Sequence, residues 1–157
     1  MLLLPLLLAA AAQHADRSTD RLPPADPLPI GEDAPAAVLA PVEAIVGARS
    51  AAAVLAEVRP GGGVTVVSEA ADGGVTVRPM SWPDYAARAD GRAQERLTDP
   101  AVEVDGAVAT LWSPYVATVD TRLDHCGIDQ AALVREGGRW RVTWMTHSER
   151  TTGCAPR

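Results

Sequence analysis

The chain has 157 residues and a formal net charge of −6, with 20 acidic and 14 basic side chains. This length fits one domain with a tail, and it allows a buried core without a metal or many crosslinks. The acidic balance and the lack of a basic run predict that neither nucleic acid nor an anionic membrane is a partner.

The first segment is typical of a secretory signal. Residues 2–12 are apolar and interrupted only by Pro5, and this run is too short to cross a bilayer as a helix. The alanines that end it offer a cleavage site, with Ala15 as a second one. No Lys or Arg precedes the run, so either the leader is atypical or the true start lies upstream. A buried N-terminal helix is the less favoured alternative.

A linker is predicted to follow the leader. Residues 13–33 contain four prolines and several aspartates, which break regular structure and keep the chain solvated. A structured arm packed on the domain is the alternative. The predicted organisation is a signal peptide over 1–12, a linker over 13–33 and one domain over 34–157. Export to the periplasm or the outside follows from the leader.

Export changes the interpretation of the two cysteines, Cys126 and Cys154. Two thiols in an oxidising compartment usually pair, and this bridge would contribute about 3 kcal/mol. The alternative is a free Cys126 beside His125, a thiol–imidazole pair for nucleophilic chemistry. Adjacent residues of a strand point to opposite faces, which favours the disulfide.

Three helices are predicted in the first half of the domain. Apolar residues from Val38 to Val46 recur at three- and four-residue spacing, which indicates a helix. Ser50 is a plausible N-cap for a second helix over 51–58, which Pro60 and the glycines at 61–63 would end in a turn. Ser81 begins a third, short helix with Asp84 in a capping box.

Strands dominate the rest of the chain. Valines over 64–67 and 75–77 flank an Asp-Gly turn, which is a hairpin signal. Longer strands are predicted over 101–104, 107–119, 127–135 and 139–148, the last two joined by Gly137-Gly138. Helices followed by a curved antiparallel sheet indicate the α+β class.

Several strings in this order resemble the lumazine-binding branch of the nuclear transport factor 2-like (SnoaL-like) superfamily. They cover roughly residues 35–154 and comprise Trp112 with Tyr115, His125-Cys126-Gly127, Gly138 with Trp140, and Cys154. The resemblance implies a cone: a strongly bent antiparallel sheet with about three helices closing the concave side. Relatives tend to carry Phe at the positions of Ala117 and Ala131, so the cavity is wider here or its packing differs.

The last hairpin predicts which residues face the interior. With a turn at Gly137-Gly138, Glu136 faces Arg139, Leu133 faces Val142, Ala131 faces Trp144 and Asp129 faces Thr146. The apolar face containing these residues and Trp140 is expected to line the cone. Asp129 and Thr146 are its polar end, near the mouth.

Candidate site residues follow from this register. A carboxylate in an apolar cavity can exchange protons at neutral pH, so Asp129 is the candidate base, with His125 and Tyr115 as possible donors. The alternative is an inert, hydrogen-bonded Asp129. A bulge at Ser113-Pro114 is expected to redirect Tyr115. The predicted ligand contacts are Trp112, Tyr115, Asp129, Trp144 and Thr146, although Trp at alternating strand positions is more often core.

No metal site and no cofactor are predicted. Asp124, His125, Cys126 and His147 are close along the chain or across the hairpin, but they match no recognised ligand spacing. The favoured function is therefore an exported binding protein with an apolar pocket for a compact apolar or heteroaromatic molecule. The alternatives are an isomerase- or cyclase-type enzyme that uses Asp129 or His125, and a structural module, with a homodimer as a possible assembly.

Overall fold

The computed structural model describes residues 34–89 and 91–154, so the predicted signal peptide and linker lie outside the described residues. Within these described residues three helices and seven strands follow one another, which confirms the α+β class. Their bounds are α1 Ala34–Val46, α2 Ala51–Glu57, β1 Val58–Glu69, β2 Val75–Ser81, α3 Trp82–Ala86, β3 Ala93–Leu97, β4 Ala101–Asp105, β5 Val108–Val119, β6 Arg122–Glu136 and β7 Arg139–Arg150.

The predicted helix starts are confirmed by their caps. Ser50 accepts a hydrogen bond from the Ala53 amide at 3.3 Å, and Ser81 accepts one from the Asp84 amide at 3.3 Å. Each hydroxyl satisfies an amide that the first turn of a helix leaves without a partner. Helix α1 runs through Pro41 to Val46.

The seven strands form one strongly bent, unclosed sheet in the order β2-β1-β7-β6-β5-β3, with β4 also paired to β5. All neighbours are antiparallel except β1 and β7, which run parallel and depart from the predicted antiparallel sheet. The chain leaves β1 through its hairpin partner β2 and returns beside β1 only at its last strand, β7. The helices pack on one side of this sheet and close the cone.

Strand β3 is absent from the sequence prediction and shares the β5 edge with β4. Residues 101–105 pair with the first half of β5 and residues 93–97 with its second half. The Thr98 amide, between the two strands, donates to the Pro114 carbonyl at 2.7 Å. The nitrogen of Pro114 lies on the same edge of β5 as this carbonyl. Because proline has no N–H to donate, it fits at the junction between β3 and β4, where no strand residue needs that bond. The predicted bulge at Ser113-Pro114 is wrong, because β5 and β6 stay in register from Val108 to Ala117.

The β6–β7 hairpin contains a bulge that changes the predicted register. Leu133 pairs with Val142 as predicted, but Ala132 pairs with Trp144, which leaves Thr143 as an extra residue. Beyond this point every β7 side chain is reversed. Trp144 and Thr146 therefore lie on the outer face, which corrects their predicted interior position, and Met145 and His147 point inward.

The glycines at 61–63 lie inside β1 and do not form the predicted linker turn. A Cβ on Gly62 would lie 1.6 Å from the carbonyl oxygen of Thr143, and one on Gly63 would lie 2.3 Å from that of Met80. The glycines are needed because β1 passes against the backbone of the β7 bulge on one side and of β2 on the other.

The apolar core lies between the helices and the inner face of the sheet. It includes Val38, Val42 and Ile45 of α1, Val54 of α2, Trp82 and Ala86 of α3, and the inward side chains Leu111, Ala131, Leu133, Val142 and Met145. The predicted burial of Leu133 is confirmed. Among residues 34–89 and 91–154, no helix combines the length and the apolar character that a bilayer crossing requires.

The two cysteines form the predicted disulfide. Cys126 in β6 and Cys154 after β7 are joined, with their Cα atoms 5.6 Å apart. The alternative of a free thiol beside His125 is therefore excluded. The bridge holds the segment after β7 against β6.

Candidate functional site

A cleft of about 190 Å³ opens at the end of the cone where the apolar core stops. One wall comes from the helices and the segments that follow them, the other from β3, β6 and β7. The first wall contributes Ile45, Val46, Ala48, Tyr85, Arg88 and Ala89, and the second Glu95, His125, His147 and Glu149.

Strand pairing places Glu95 and His125 on one row across the sheet. Glu95 pairs with Ala117, and Ala117 pairs with His125. All three residues therefore share the inner face, and the small, fully buried Ala117 stands between the two polar side chains. The small side chain of Ala117 thus leaves open the space between the carboxylate and the imidazole.

His147 reaches the same cluster from β7 and is held by two buried partners. Its Nδ1 lies 2.7 Å from Asp129 Oδ1 and its Nε2 lies 3.0 Å from the Tyr115 hydroxyl. The Tyr115 hydroxyl donates to the Ser148 carbonyl at 2.8 Å. With its one proton used there, the hydroxyl accepts from Nε2, so an imidazolium satisfies all three contacts at once.

The electrostatics of His147 agree with this arrangement. Burial lowers the pKa of His147, but the hydrogen bond to Asp129 and the nearby Glu95 and Glu149 carboxylates raise it more, so the net direction is upward. The ring also stacks on Tyr115, with centroids 4.7 Å apart. The charged form of the His147 imidazole is therefore favoured, and the ring is set among carboxylates.

Burial dominates the electrostatics of Glu95. It raises the pKa of the Glu95 carboxyl to about 7; Asp129 and Glu149 add to the shift and His147 opposes it. Glu95 therefore changes protonation near neutrality, which is the behaviour expected of a functional carboxyl group.

His125 is oriented by a partner outside the cleft. Its Nδ1 lies 2.8 Å from Asp124 Oδ2, which points Nε2 into the protein. His125 Nε2, Glu95 Oε2 and Asp129 Oδ2 are buried side-chain atoms without a hydrogen-bond partner among the described residues. Since buried polar atoms are nearly always satisfied, the first two mark a place where water, a ligand or an ion completes the site.

The structure brings together three of the predicted site residues and separates the others. Asp129 and Tyr115 are buried around His147, and His125 lines the cleft. Trp112 and Trp144 are 53% and 44% exposed on the outer face, so Trp144 does not face the interior as predicted and neither predicted ligand contact lines the cleft. Thr146 shares that outer face, because the β7 bulge reverses the side chains after Thr143.

Sequence reasoning missed four residues of the cleft: Tyr85, Glu95, His147 and Glu149. Glu95 lies on the unpredicted strand β3. His147 and Glu149 face inward only because of the bulge, and the polar lining they provide corrects the expectation of an apolar pocket. Tyr85 lies in α3, and its T-shaped contact with Trp82, at 6.0 Å between centroids, orients it toward the cleft.

No family model matches this chain, and no match was found among curated proteins. Solved structures do match. A protein of unknown function with a cystatin-like fold from Nostoc punctiforme has a TM-score of 0.60 at 8% identity, over 80% of this chain and 97% of that one.

Two further structures are similar. A protein of unknown function from Mycobacterium tuberculosis has a TM-score of 0.57 at 21% identity, over 77% of this chain and 79% of that one. A nuclear transport factor 2-like protein of unknown function from Methylobacillus flagellatus has a TM-score of 0.55 at 13% identity, over 78% and 97% of the two chains. The chain has the nuclear transport factor 2-like fold.

Proposed function

We propose that the protein is an exported small-molecule-binding protein whose ligand occupies the cleft between the helices and strands β3, β6 and β7. The observation that carries this proposal is the pair of buried atoms without a partner, His125 Nε2 and Glu95 Oε2, at the wall of that cleft. A polar ligand group placed there would remove the cost of leaving both atoms unpaired.

The cleft sets the chemical class of the ligand. Its volume of about 190 Å³ is below the ~300–1,000 Å³ usual for drug-sized ligands, which favours a compact molecule. Ile45, Val46 and Ala89 offer apolar contact on one wall, while Glu95 and His125 offer hydrogen bonds on the other. The ligand is therefore a small amphiphilic or heteroaromatic molecule, with its polar edge toward the sheet.

Membership of the lumazine-binding branch is part of this proposal. The His-Cys-Gly string that suggested it lies at the cleft: His125 lines it, Cys126 is bridged to Cys154, and Gly127 lets Tyr115 pass close by. A Cβ on Gly127 would lie 1.7 Å from the Ser148 carbonyl oxygen and 2.8 Å from the Tyr115 ring. A heteroaromatic ring would stack here on Tyr85 or an imidazole, since Trp112 and Trp144 face outward.

Export is the second part of the proposal. A disulfide between the only two cysteines is the state expected in an oxidising compartment, and the apolar start of the chain suits a leader. The enzyme and scaffold alternatives draw no stronger support from this geometry, because ionisable groups in a cleft serve binding equally well.

Native mass spectrometry tests the proposal on protein purified from its own compartment. We expect an organic mass bound to the wild type, a mature N-terminus without the leader, and the loss of two protons at the disulfide. Ala89→Trp fills the cleft wall and should abolish the bound mass, whereas Ala87→Trp, on an exposed neighbouring residue, should retain it. A wild type that carries no organic mass, or an Ala89→Trp variant that still does, would overturn the assignment.

A further inference from the structure

We infer that Glu95, His125 and His147 form a binding site for a divalent first-row transition-metal ion, with Zn²⁺ as the best fit. Each residue offers one ligand atom, and these atoms lie within 4.8 Å of one another. The inference comes from this cluster alone and does not require an organic molecule in the cleft.

The donor set selects the class of metal. Two imidazole nitrogens and one carboxylate oxygen form a combination that Zn²⁺ uses when it keeps further positions open. The same combination suits other late first-row divalent ions, while Ca²⁺ and Mg²⁺ prefer sets made only of oxygen. The open positions would face the cleft, since all three residues line it.

The outer contacts of the two histidines match those of metal ligands. A metal-binding histidine usually donates its second ring N–H to a carboxylate, which fixes the ring and leaves the other nitrogen for the metal. Here Asp124 holds Nδ1 of His125 at 2.8 Å and Asp129 holds Nδ1 of His147 at 2.7 Å. Both imidazoles are therefore oriented through Nδ1.

The inner atoms of the cluster are available for coordination. His125 Nε2 and Glu95 Oε2 are buried without a partner among the described residues. His147 Nε2 lies 3.0 Å from the Tyr115 hydroxyl, and that hydroxyl would keep its bond to the Ser148 carbonyl if Nε2 turned to a metal. Zn²⁺ would thus replace the Nε2 proton of the His147 imidazolium, which is released to solvent, and would satisfy the two orphaned atoms.

To bind a metal ion, the three side chains would have to move slightly closer together. Ligand atoms around a tetrahedral Zn²⁺ lie about 2.0–2.2 Å from the metal and about 3.4 Å from each other. Starting from distances within 4.8 Å, the side chains would move by roughly 1 Å. Glu95 has the most freedom to do so, because β3 is the last strand of the sheet and has a neighbour on one side only.

The surrounding charges favour a cation. The carboxylates of Asp124 and Asp129 contact the two histidines, and Glu149 lines the cleft beside them. Arg88 is the opposing positive group on the helical wall. Once Zn²⁺ has replaced the proton of His147, three carboxylates around the ligands face the one guanidinium among the described residues that line the cleft.

Titration of the chelator-stripped protein with Zn²⁺ against a chromophoric competitor tests the site. We expect one tightly held Zn²⁺ per chain that excess Ca²⁺ does not displace. His125→Ala and Glu95→Gln should each weaken binding by about 100-fold, and Asp124→Asn by ~10- to 100-fold through the lost orientation of His125. Glu103→Gln, on an exposed residue of β4, is the matched control and should bind as the wild type does.

Equal Zn²⁺ affinity in His125→Ala and the wild type would overturn the site, as would stronger binding of Ca²⁺. Should a variant fail to fold by circular dichroism, long-range ¹H–¹⁵N spectra of the wild type decide instead. Zn²⁺ must then shift the Nε2 resonances of both His125 and His147, and unshifted resonances refute the inference. The only organic compound in the titration is the competing chelator, which reports free Zn²⁺, so failure of the titration leaves the proposed small-molecule binding intact, and the reverse also holds.

Discussion

At the scale of single residues, small side chains decide where the polar groups can meet. Ala117 lies on the row between Glu95 and His125, and Gly127 leaves room for the Tyr115 ring. A larger residue at 117 would fill the space that the cluster uses. The small side chains therefore give up apolar packing and leave room for a cleft lined by ionisable groups. Such local departures from close packing are expected at functional sites.

The Glu95 carboxyl predicts how stability depends on pH. Its pKa is 4.5 when unperturbed and about 7 in the folded protein, so the folded state holds the proton more tightly. The resulting penalty is absent below pH 4.5, grows as the pH rises toward 7, and is complete above that. Glu95→Gln removes it, so this variant should gain stability over the wild type as the pH rises.

Urea unfolding in EDTA at pH 5 and pH 8 measures the effect without a bound cation. The gain from Glu95→Gln should be larger at pH 8 by on the order of 1–2 kcal/mol, a value reduced for the partial exposure of the side chain. Glu103→Gln should show no such difference, since Glu103 is exposed on β4. A gain that does not change with pH would mean that Glu95 is ionised at little cost.

At the scale of elements, only the part of the β6–β7 hairpin next to its turn could be predicted from the sequence. The glycine turn at 137–138 fixes the pairing of Leu133 with Val142, as predicted. The bulge at Thr143 then inverts the rest of β7, and nothing in the string Val-Thr-Trp-Met distinguishes it from a regular strand. The burial of Asp129 could be predicted because it lies on β6, which keeps its alternation, whereas that of His147 could not.

Strand β3 is the second feature that could not be predicted from the sequence. The residues Ala93–Leu97 have one charged side chain of each sign and no β-branched residue, so local propensity does not indicate a strand. Pairing with the second half of β5 determines this strand. The inward position of Glu95 could therefore not be predicted from the sequence, because pairing with β5 overrides local propensity at this edge of the sheet.

Strand β1 lies directly against the β7 bulge at Gly62, so we expect Gly62→Ala to destabilise the fold severely. A Cβ at this position would lie 1.6 Å from the Thr143 carbonyl oxygen, so one strand must move. We expect a loss of about 3 kcal/mol or more in the free energy of unfolding, measured by urea denaturation. Gly61→Ala is the matched control: it meets no atom within 4 Å and should lose only about 1 kcal/mol from its φ of +88°. Similar losses in the two variants would contradict the close approach at Gly62.

At the scale of the whole molecule, the site and the crosslink lie at the same end of the sheet. His125 precedes Cys126, and Cys126 pairs across the sheet with Arg150, next to Glu149. The bridge to Cys154 therefore fixes the end of β7 against the start of β6, where two strands deliver cleft residues. The cysteine pairing was predictable from the count of two, but its position behind the cleft follows from the fold.

We expect removal of this disulfide to lower the free energy of unfolding substantially while the fold is retained. The disulfide closes a loop spanning 28 positions, for which the chain-entropy model gives about 3–4 kcal/mol. The double variant Cys126→Ala/Cys154→Ala should unfold at lower urea with that loss, and the wild type in dithiothreitol should behave alike. Because the core of helices and inner strands does not involve the bridge, near-ultraviolet circular dichroism from the buried Trp82 should persist without denaturant. A double variant within about 0.5 kcal/mol of the wild type would show that the strand pairing of β6 and β7 alone holds this end of the sheet.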